Sequence, residues 1–451
     1  MRSDQAVAVA GAVYKSLRQA PDGLRPRRRL AKVRPVPALS VMFKTVSTDC
    51  NLDCAYCYYR ESLEGTRVRR RIEPRLLETF IPQYMAYVAD VGVASFAWQG
   101  GEPTLAGLPF FERVVALQAR HARPKTTISN ALQTNGLLLN DEWGAFLKTY
   151  NFLVGVSVDG PRELHDRLRT AKSGRGSFDL VMRGVDVLRR HGVQFNVLCV
   201  LGPHNVERPR ELMRFYREQG FSHVQFIPCM DFQAMEPEKP PVFQITAEQY
   251  GAFLRDAFDE WYAEGGPRIS VRIFDNFLQS HLGVPNDSCV HADSCDAGIV
   301  VEYNGDAYPC DFYVHPRWKL GNVVEQPLRD VLYSPIRADF IRQKRPLPPA
   351  CQACEWLSVC KSGCPRNRAD GGPDYFCASY KAFFPHADER LRSLTARIEQ
   401  RSRYLHRLRL DPSLVNRRND ACPCGSGKRQ RQCCGAPGAD ASYLFHAQRA
   451  V

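Results

Sequence analysis

Cys50-Asn51-Leu52-Asp53-Cys54-Ala55-Tyr56-Cys57 follows directly on an apolar, β-branched stretch running from Leu39 to Val46. Three thiols so close together, at the end of a strand-like run, are spaced to hold a metal cluster. A 4Fe–4S cube has four iron corners, and each takes a ligand. A closed structural site would supply four cysteines, so this loop leaves one iron open to something that is not protein. The competing reading is a zinc knuckle completed by a distant fourth ligand.

Working outward from that loop, β-like and helix-like segments alternate. Leu39–Val46, Ala94–Trp98, Thr126–Leu132, Phe152–Val158, Gln194–Val200 and His223–Ile227 read as strands. Glu73–Ala89, Pro109–His121, Asp141–Tyr150, Phe178–His191 and Glu207–Gln219 read as helices, with Gly192 as a helix stop. The strands are short continuous apolar runs, the pattern of a parallel sheet covered by helices. Six units predict an α/β fold, and a closed eight-unit barrel would need about two more, so the expected architecture is an open, partial (β/α)6 barrel. Polar loops follow the first four strands: the cysteine loop, Gln99-Gly100-Gly101-Glu102-Pro103, Gln133-Thr134-Asn135-Gly136 and Asp159-Gly160. Ligands gather at such C-terminal strand ends.

The bulk properties exclude several classes. The chain has 451 residues and a net charge of +13, but the excess sits at the ends. Residues 15–34 carry eight Lys/Arg against one Asp, and residues 385–434 carry twelve against five acidic residues. A nucleic-acid face should involve the folded core, so no nucleic-acid partner is expected. No apolar run is long enough to span a membrane. The 17 cysteines form short-spaced clusters, which points to metal ligation in a reducing cytoplasm rather than to disulfides.

Cys-x3-Cys-x2-Cys with an aromatic before the last cysteine resembles the signature of the radical S-adenosylmethionine (SAM) enzymes. The resemblance implies that the open iron binds SAM, which an electron from the cluster cleaves to a 5′-deoxyadenosyl radical. Gly100-Gly101-Glu102-Pro103 resembles the family's SAM-binding turn, in which backbone and glutamate meet the methionyl amino group. By the same resemblance Tyr56 borders the adenine, Ser157 and Arg169 are ribose and carboxylate contacts, and Met230 touches the adenine. Cys199 and Cys229, in or beside apolar strands, read as buried structural thiols.

Beyond Pro267 the cysteines return in another rhythm. Cys295-x9-Gly305-x4-Cys310, then Cys351-x2-Cys354-x5-Cys360-x3-Cys364, with Cys289 leading and Cys377 trailing, is similar to the SPASM domain pattern. Eight cysteines suffice for two further cubane clusters, and two structural zinc sites are the alternative. The resemblance implies one cluster on Cys289, Cys295, Cys310 and Cys364 and another on Cys351, Cys354, Cys360 and Cys377. Spacing alone would group Cys364 with its near neighbours.

Across residues 38–385 the chain resembles the anaerobic sulfatase-maturating enzymes, including the Tyr308-Pro309-Cys310-Asp311-Phe312 segment. That implies oxidation of a Cys or Ser in a sulfatase polypeptide (Cys/Ser-x-Pro-x-Arg) to Cα-formylglycine. It also implies a low-potential electron donor such as ferredoxin or flavodoxin. The implied base is Asp311, a role a carboxylate fills if burial raises its pKa. Tyr59 and Gln99 would line the peptide channel, and Asp275 is a second acid with a structural reading. Two rivals remain: a maturase that crosslinks ribosomally made peptides, and a non-catalytic metal-binding adaptor.

Ala387–Leu410 reads as a basic helix with a stripe of Leu391, Leu394, Ile398, Leu405 and Leu408, packing on the cysteine-rich region or a partner. Cys422, Cys424, Cys433 and Cys434 resemble the SEC-C motif, four thiolates for one Zn²⁺, with a partner-binding role expected. The expected domains are a basic extension (1–37), a partial barrel (38–266), a SPASM domain (267–385), a helical linker (386–415) and a zinc motif (416–437).

Overall fold

The computed structural model describes residues 39–59, 70–230, 242–263, 266–296, 298–369, 371–410, 420–422 and 428–432. The basic extension and Cys424, Cys433 and Cys434 of the expected zinc motif lie outside the described residues.

Each apolar run of the first half becomes a parallel strand. They are β1 (Ser40–Lys44), β2 (Val93–Gln99), β3 (Thr127–Thr134), β4 (Leu153–Ser157), β5 (Gln194–Leu201) and β6 (His223–Pro228). Helices connect them: α1 (Pro74–Tyr87), α2 (Leu108–His121), α3 (Asp141–Thr149), α4 (Arg162–Leu168), α5 (Phe178–His191) and α6 (Pro209–Glu218). α7 (Ala247–Tyr262) follows β6, and α8 (Arg272–His281) follows a short seventh strand, β7 (Ser270–Val271). Local chemistry sets these limits. Proline opens α1 and α6, the Asn140 side chain caps α3 by accepting from the Trp143 amide, and Gly192 ends α5 in the left-handed region at φ 63°.

Among the described residues the strands form one ten-stranded sheet in the order β10-β9-β8-β1-β2-β3-β4-β5-β6-β7. β1 through β7 pair in parallel, and β8 (Gly298–Val301) pairs parallel with β1 on the other side. β9 (Asp306–Tyr308) and β10 (Gly321–Asn322) add antiparallel edges. This is the six-unit partial barrel of the expectation, with one difference. The sheet runs on past residue 266, so the first segment of the cysteine-rich region is hydrogen-bonded to the strand that leads into the three-cysteine loop.

Burial along the strands alternates more than their apolar composition suggests. In β2, Ala94, Phe96 and Trp98 are buried while Val93, Ser95, Ala97 and Gln99 are half-exposed. The buried row packs outward on helices: Phe43 meets Phe80 edge-on at 5.2 Å, and Trp98 meets Phe110 and Phe111 at 5.9 and 5.7 Å. The other row faces the concave inner side, where an open barrel keeps its site rather than a packed core.

The helix expected from Ala387 begins ten residues earlier, spanning Cys377–Leu410 with Pro385 inside it. Phe383, Phe384, Ala387, Leu391, Leu394 and Ile398 are buried along one face; the side chains of Leu405 and Leu408 lie outside the description. That face packs on barrel helix α7 and on α8, not on the cysteine-rich loops alone: Phe383 lies 5.5 Å from Phe258 and 5.7 Å from Phe274, and Asp259 accepts from Arg390 (2.6 Å) and pairs with His386 (2.8 Å). Cys377, the last cysteine of the eight, is therefore anchored to the barrel.

Candidate active site

The three-cysteine loop leaves β1 and is pinned from below. Asp53 and Ala55 donate their amides to Thr170 and Leu168 carbonyls at 2.8 and 2.9 Å, and Cys57 donates to Cys54 at 3.1 Å. The Leu52 amide points at Cys50 Sγ (3.4 Å), and Asn135, from the loop after β3, reaches the same sulfur. Burial pushes the Cys50 thiol up to about 12 and raises that of Cys54; each of the three sulfurs is within electrostatic reach of another. Buried thiols that repel one another's charge need a cation to become thiolates, which is what iron supplies. Among the described residues no three His, Cys, Asp or Glu side chains converge to hold a single ion; a cubane is bound at separate corners, one thiolate each.

Gly100 and Gly101 lie against this loop, both at positive φ (90° and 49°). A Cβ on Gly101 would sit 2.0 Å from the Asp49 carbonyl oxygen, and the Glu102 amide donates to that oxygen at 2.8 Å. The glycines are thus required by the approach of the cluster loop itself, where the sequence suggested approach of a ligand. Glu102 is fully buried, and its carboxylate accepts from the Thr104 amide (3.0 Å) and hydroxyl, the Thr134 hydroxyl (2.8 Å) and the Asn135 amide (2.7 Å). It ties the loops after β2 and β3 together, so four donors already surround the group expected to meet a ligand amine. Gly101→Ala is expected to destabilise by about 2–4 kcal/mol, from left-handed strain plus displacement of the Asp49 carbonyl. A lowered thermal midpoint and weaker SAM binding in equilibrium dialysis would register it; an unchanged midpoint would show that the two loops can part.

Arg169 is buried and donates to the Tyr56 hydroxyl at 2.6 Å; that hydroxyl in turn donates to Asp159. Arg169 Nε is buried without a hydrogen-bond partner among the described residues, and its charge bears on Cys54. The His204 ring lies parallel to Tyr56 at 6.4 Å, with both nitrogens buried and unpartnered among the described residues; burial lowers its pKa. Ser157 accepts from Gln133 at 3.1 Å on the inner face. Met230 ends the described residues after β6, half-buried against the core. Cys199 is fully buried, as expected, whereas Cys229 is only partly covered. Asp275 is buried and bonded to Ser270, a structural setting.

Asp311 comes to the same rim from far along the chain. Its carboxylate pairs with Lys44, the last residue of β1, and accepts from Tyr58 (2.6 Å), Tyr59 (3.3 Å) and Gln99 (3.4 Å). Asp311 therefore sits among one cation and three neutral donors, partners that the sequence did not disclose. Lys44 is completely buried; burial lowers its pKa to about 7, while Glu302 and the Cys310 and Cys57 sulfurs favour its charged form. Sequence reasoning missed Lys44, Tyr58 and His204, and it placed Asp159 on the rim without giving it a role. For Lys44 a signal existed: one charge inside the apolar run Val-Met-Phe-Lys-Thr-Val.

The later cysteines fall into two neighbourhoods. Cys295 and Cys310 each sense Cys289 and Cys364, with the thiols pushed up to about 11 and about 12 by burial. Cys360 senses Cys377 and Cys351, and Cys377 senses Cys351 and Cys354. Asp374, buried, divides them by accepting from the Cys364 amide (2.8 Å) and the Phe376 amide (2.8 Å). Cys422 is buried, its amide bonded to the Lys428 carbonyl at 2.7 Å.

The Radical SAM superfamily pattern matches residues 45–216, and the SPASM iron–sulfur cluster-binding domain matches residues 294–355. A cysteine-type anaerobic sulfatase-maturating enzyme of Clostridium perfringens (strain 13 / Type A) is 36% identical over 365 residues, covering 79% of this chain and 98% of its own length. The chain belongs to the anaerobic sulfatase-maturating enzymes. A serine-type anaerobic sulfatase-maturating enzyme of Bacteroides thetaiotaomicron is equally similar, at 37% identity over 77% of this chain and 89% of that one. Native anSMEcpe with bound AdoMet and Cp18Cys peptide superposes with a TM-score of 0.73 at 35% identity, over 80% of this chain and 99% of that one. Streptococcus suis SuiB bound to precursor peptide SuiA shares the fold, at 16% identity and a TM-score of 0.55. As a sulfatase-maturating enzyme with radical SAM and SPASM domains, the protein is an oxidoreductase that works with 4Fe–4S chemistry and SAM. No described helix is long and apolar enough to cross a membrane.

Proposed function

We propose that this enzyme oxidises the active-site Cys or Ser of a sulfatase polypeptide to Cα-formylglycine, with Asp311 as the base. The observation that carries the reading is the Asp311 carboxylate held beside the three-cysteine loop, one residue from Cys310 and bonded to Tyr58, Tyr59 and Gln99. Cys50, Cys54 and Cys57 hold the SAM-binding cluster. Cys289, Cys295, Cys310 and Cys364 hold one auxiliary cluster, and Cys351, Cys354, Cys360 and Cys377 the other, an assignment supported by the two electrostatic neighbourhoods. When bound, the reduced cluster with SAM supplies a 5′-deoxyadenosyl radical for hydrogen-atom removal, and an auxiliary cluster supplies a one-electron acceptor.

The chain's own residues do the rest. The backbone at Gly100–Gly101 receives the methionyl end of SAM, with Glu102 bracing that turn. Arg169, whose Nε has no hydrogen-bond partner among the described residues, faces the SAM carboxylate; Ser157 meets the ribose, and Tyr56 and Met230 border the adenine. Asp311 accepts the proton of the substrate thiol or hydroxyl as one hydrogen atom and one electron leave, giving a thioaldehyde or an aldehyde; water converts the thioaldehyde to the aldehyde with loss of hydrogen sulfide. The electron count is the same for Cys and Ser. A low-potential donor such as ferredoxin or flavodoxin supplies the reducing electron, and cysteines committed to metal ligation rather than disulfides suit the cytoplasm. Cys422 with Cys424, Cys433 and Cys434 binds one Zn²⁺ and serves a partner.

Anaerobic incubation with SAM, a reductant and Cys- and Ser-type sulfatase peptides, read by mass spectrometry, is expected to give formylglycine. The reconstituted protein is expected to hold about twelve irons and one zinc. A crosslinked peptide instead of the aldehyde would overturn the reading in favour of peptide crosslinking, and about four irons would remove the auxiliary assignment.

A further inference from the structure

Lys44 is a fully buried charged side chain of the site with no role in the ligand sets above. A lysine is almost never fully buried unless it is paired, because an interior ammonium loses its hydration. Lys44 is fully buried nonetheless. Its ammonium bonds to two side chains from separate segments, the Asp311 carboxylate and the Tyr59 hydroxyl, and lies 4.2 Å from the centre of the Tyr59 ring. The rim is shaped around it: a Cβ on Gly100 would stand 2.9 Å from Lys44 Cδ. β1 puts its other buried side chains, Val41 and Phe43, into the apolar core, so a strand needing only packing would end in an apolar residue here.

We propose that Lys44 is a positioning residue of the oxidation, clamping one oxygen of Asp311 so that the carboxylate faces the substrate proton. The proposal rests on the reading of Asp311 as the base. The two oxygens are held differently. Oδ1 takes Lys44 and Tyr59, while Oδ2 takes Tyr58 and Gln99. Lys44 is the only ion-pair partner of Asp311 among the described residues. Without it, the carboxylate is tied only by neutral donors and can turn about its side-chain bonds. A misplacement of about 1 Å in a reacting group costs about 10²-fold in rate. Hydrogen-atom removal from the substrate does not involve this contact and should survive its loss.

The test uses the reconstituted full chain and a Cys-type peptide deuterated at Cβ. The wild type should move deuterium into 5′-deoxyadenosine and form formylglycine in proportion; if it does neither, the reading of the reaction fails before Lys44 is at issue. In Lys44→Met, deuterium should still reach 5′-deoxyadenosine, while formylglycine per labelled 5′-deoxyadenosine falls about 10²-fold. Lys44→Arg, which keeps the charge and its donors, should recover to within about tenfold of wild type. The readout is a ratio per turnover of SAM, so incomplete cluster loading does not move it. An unchanged ratio in Lys44→Met overturns the proposal, as does a Lys44→Arg ratio no better than that of Met. Loss of deuterium transfer with the ratio intact would assign Lys44 to hydrogen abstraction and overturn it as well.

Discussion

Cys54→Ala is expected to abolish the reductive cleavage of SAM altogether, with no 5′-deoxyadenosine above background in an anaerobic assay. Cys54 is the central thiol of the loop and is almost fully covered, at 9% exposure. The loop around it is fixed at both sides, by Asp53 on Thr170 and Ala55 on Leu168, so no other cysteine can swing into its place. With two thiolates left, a second iron of the cube would lack a protein ligand and the cluster would no longer be held, so neither SAM binding nor electron delivery survives. The two later cysteine sets come from other segments and should be untouched, so iron content should fall by about one third, not to zero. Cleavage that persists in this variant would mean that the three-cysteine loop is not where SAM reacts.

Asp311→Asn is expected to have the opposite signature. The amide keeps the shape of the carboxylate and can still accept from Tyr58, but it cannot take a proton. Formylglycine should fall about 10²- to 10⁴-fold, the usual span for a lost general base, while 5′-deoxyadenosine still forms. Removing the charge also takes from Lys44 its ion-pair partner and leaves it with the Tyr59 hydroxyl and the charges of Glu302 and nearby sulfurs; breaking an interior ion pair costs about 3–5 kcal/mol. Stability should therefore be measured alongside product. An equal loss of cleavage and product would remove Asp311 from the base role and leave it as the structural partner of Lys44.

The contrast between these variants follows what could be read at each level. The cysteine loop, the Gly-Gly-Glu-Pro turn and the six strand–helix units are local patterns. A loop that binds at three corners must carry its ligands within a few residues, and a strand buried on its outer face must be apolar there. These were legible, and the boundaries of β1 to β6 and of α1, α2, α3, α5 and α6 shift by only a residue or two between pattern and structure, while the short α4 was not read from the sequence. Glu102 was legible as a site residue but not in its setting. Only the fold shows that Thr104, Thr134 and Asn135 occupy its carboxylate, because two of those donors come from the next strand's loop. The apolar stripe alone did not carry the long helix back beyond Ala387. Instead Ser379 bonds to the Ala247 carbonyl and Phe383 packs on α7, which extends the helix back to Cys377.

The linear chain, then, decided the chemistry that needs close spacing: three thiols for an open-cornered cluster, and strands patterned for a half-open barrel. Tertiary structure decided everything that joins distant segments, namely the Lys44–Asp311 pair across 267 positions and the sorting of eight cysteines into two neighbourhoods. The physical reason is one of range. Backbone geometry and periodic burial act over a few residues, whereas charges in a water-poor interior find partners by distance in space, which only the folded sheet, with β8 laid beside β1, brings about.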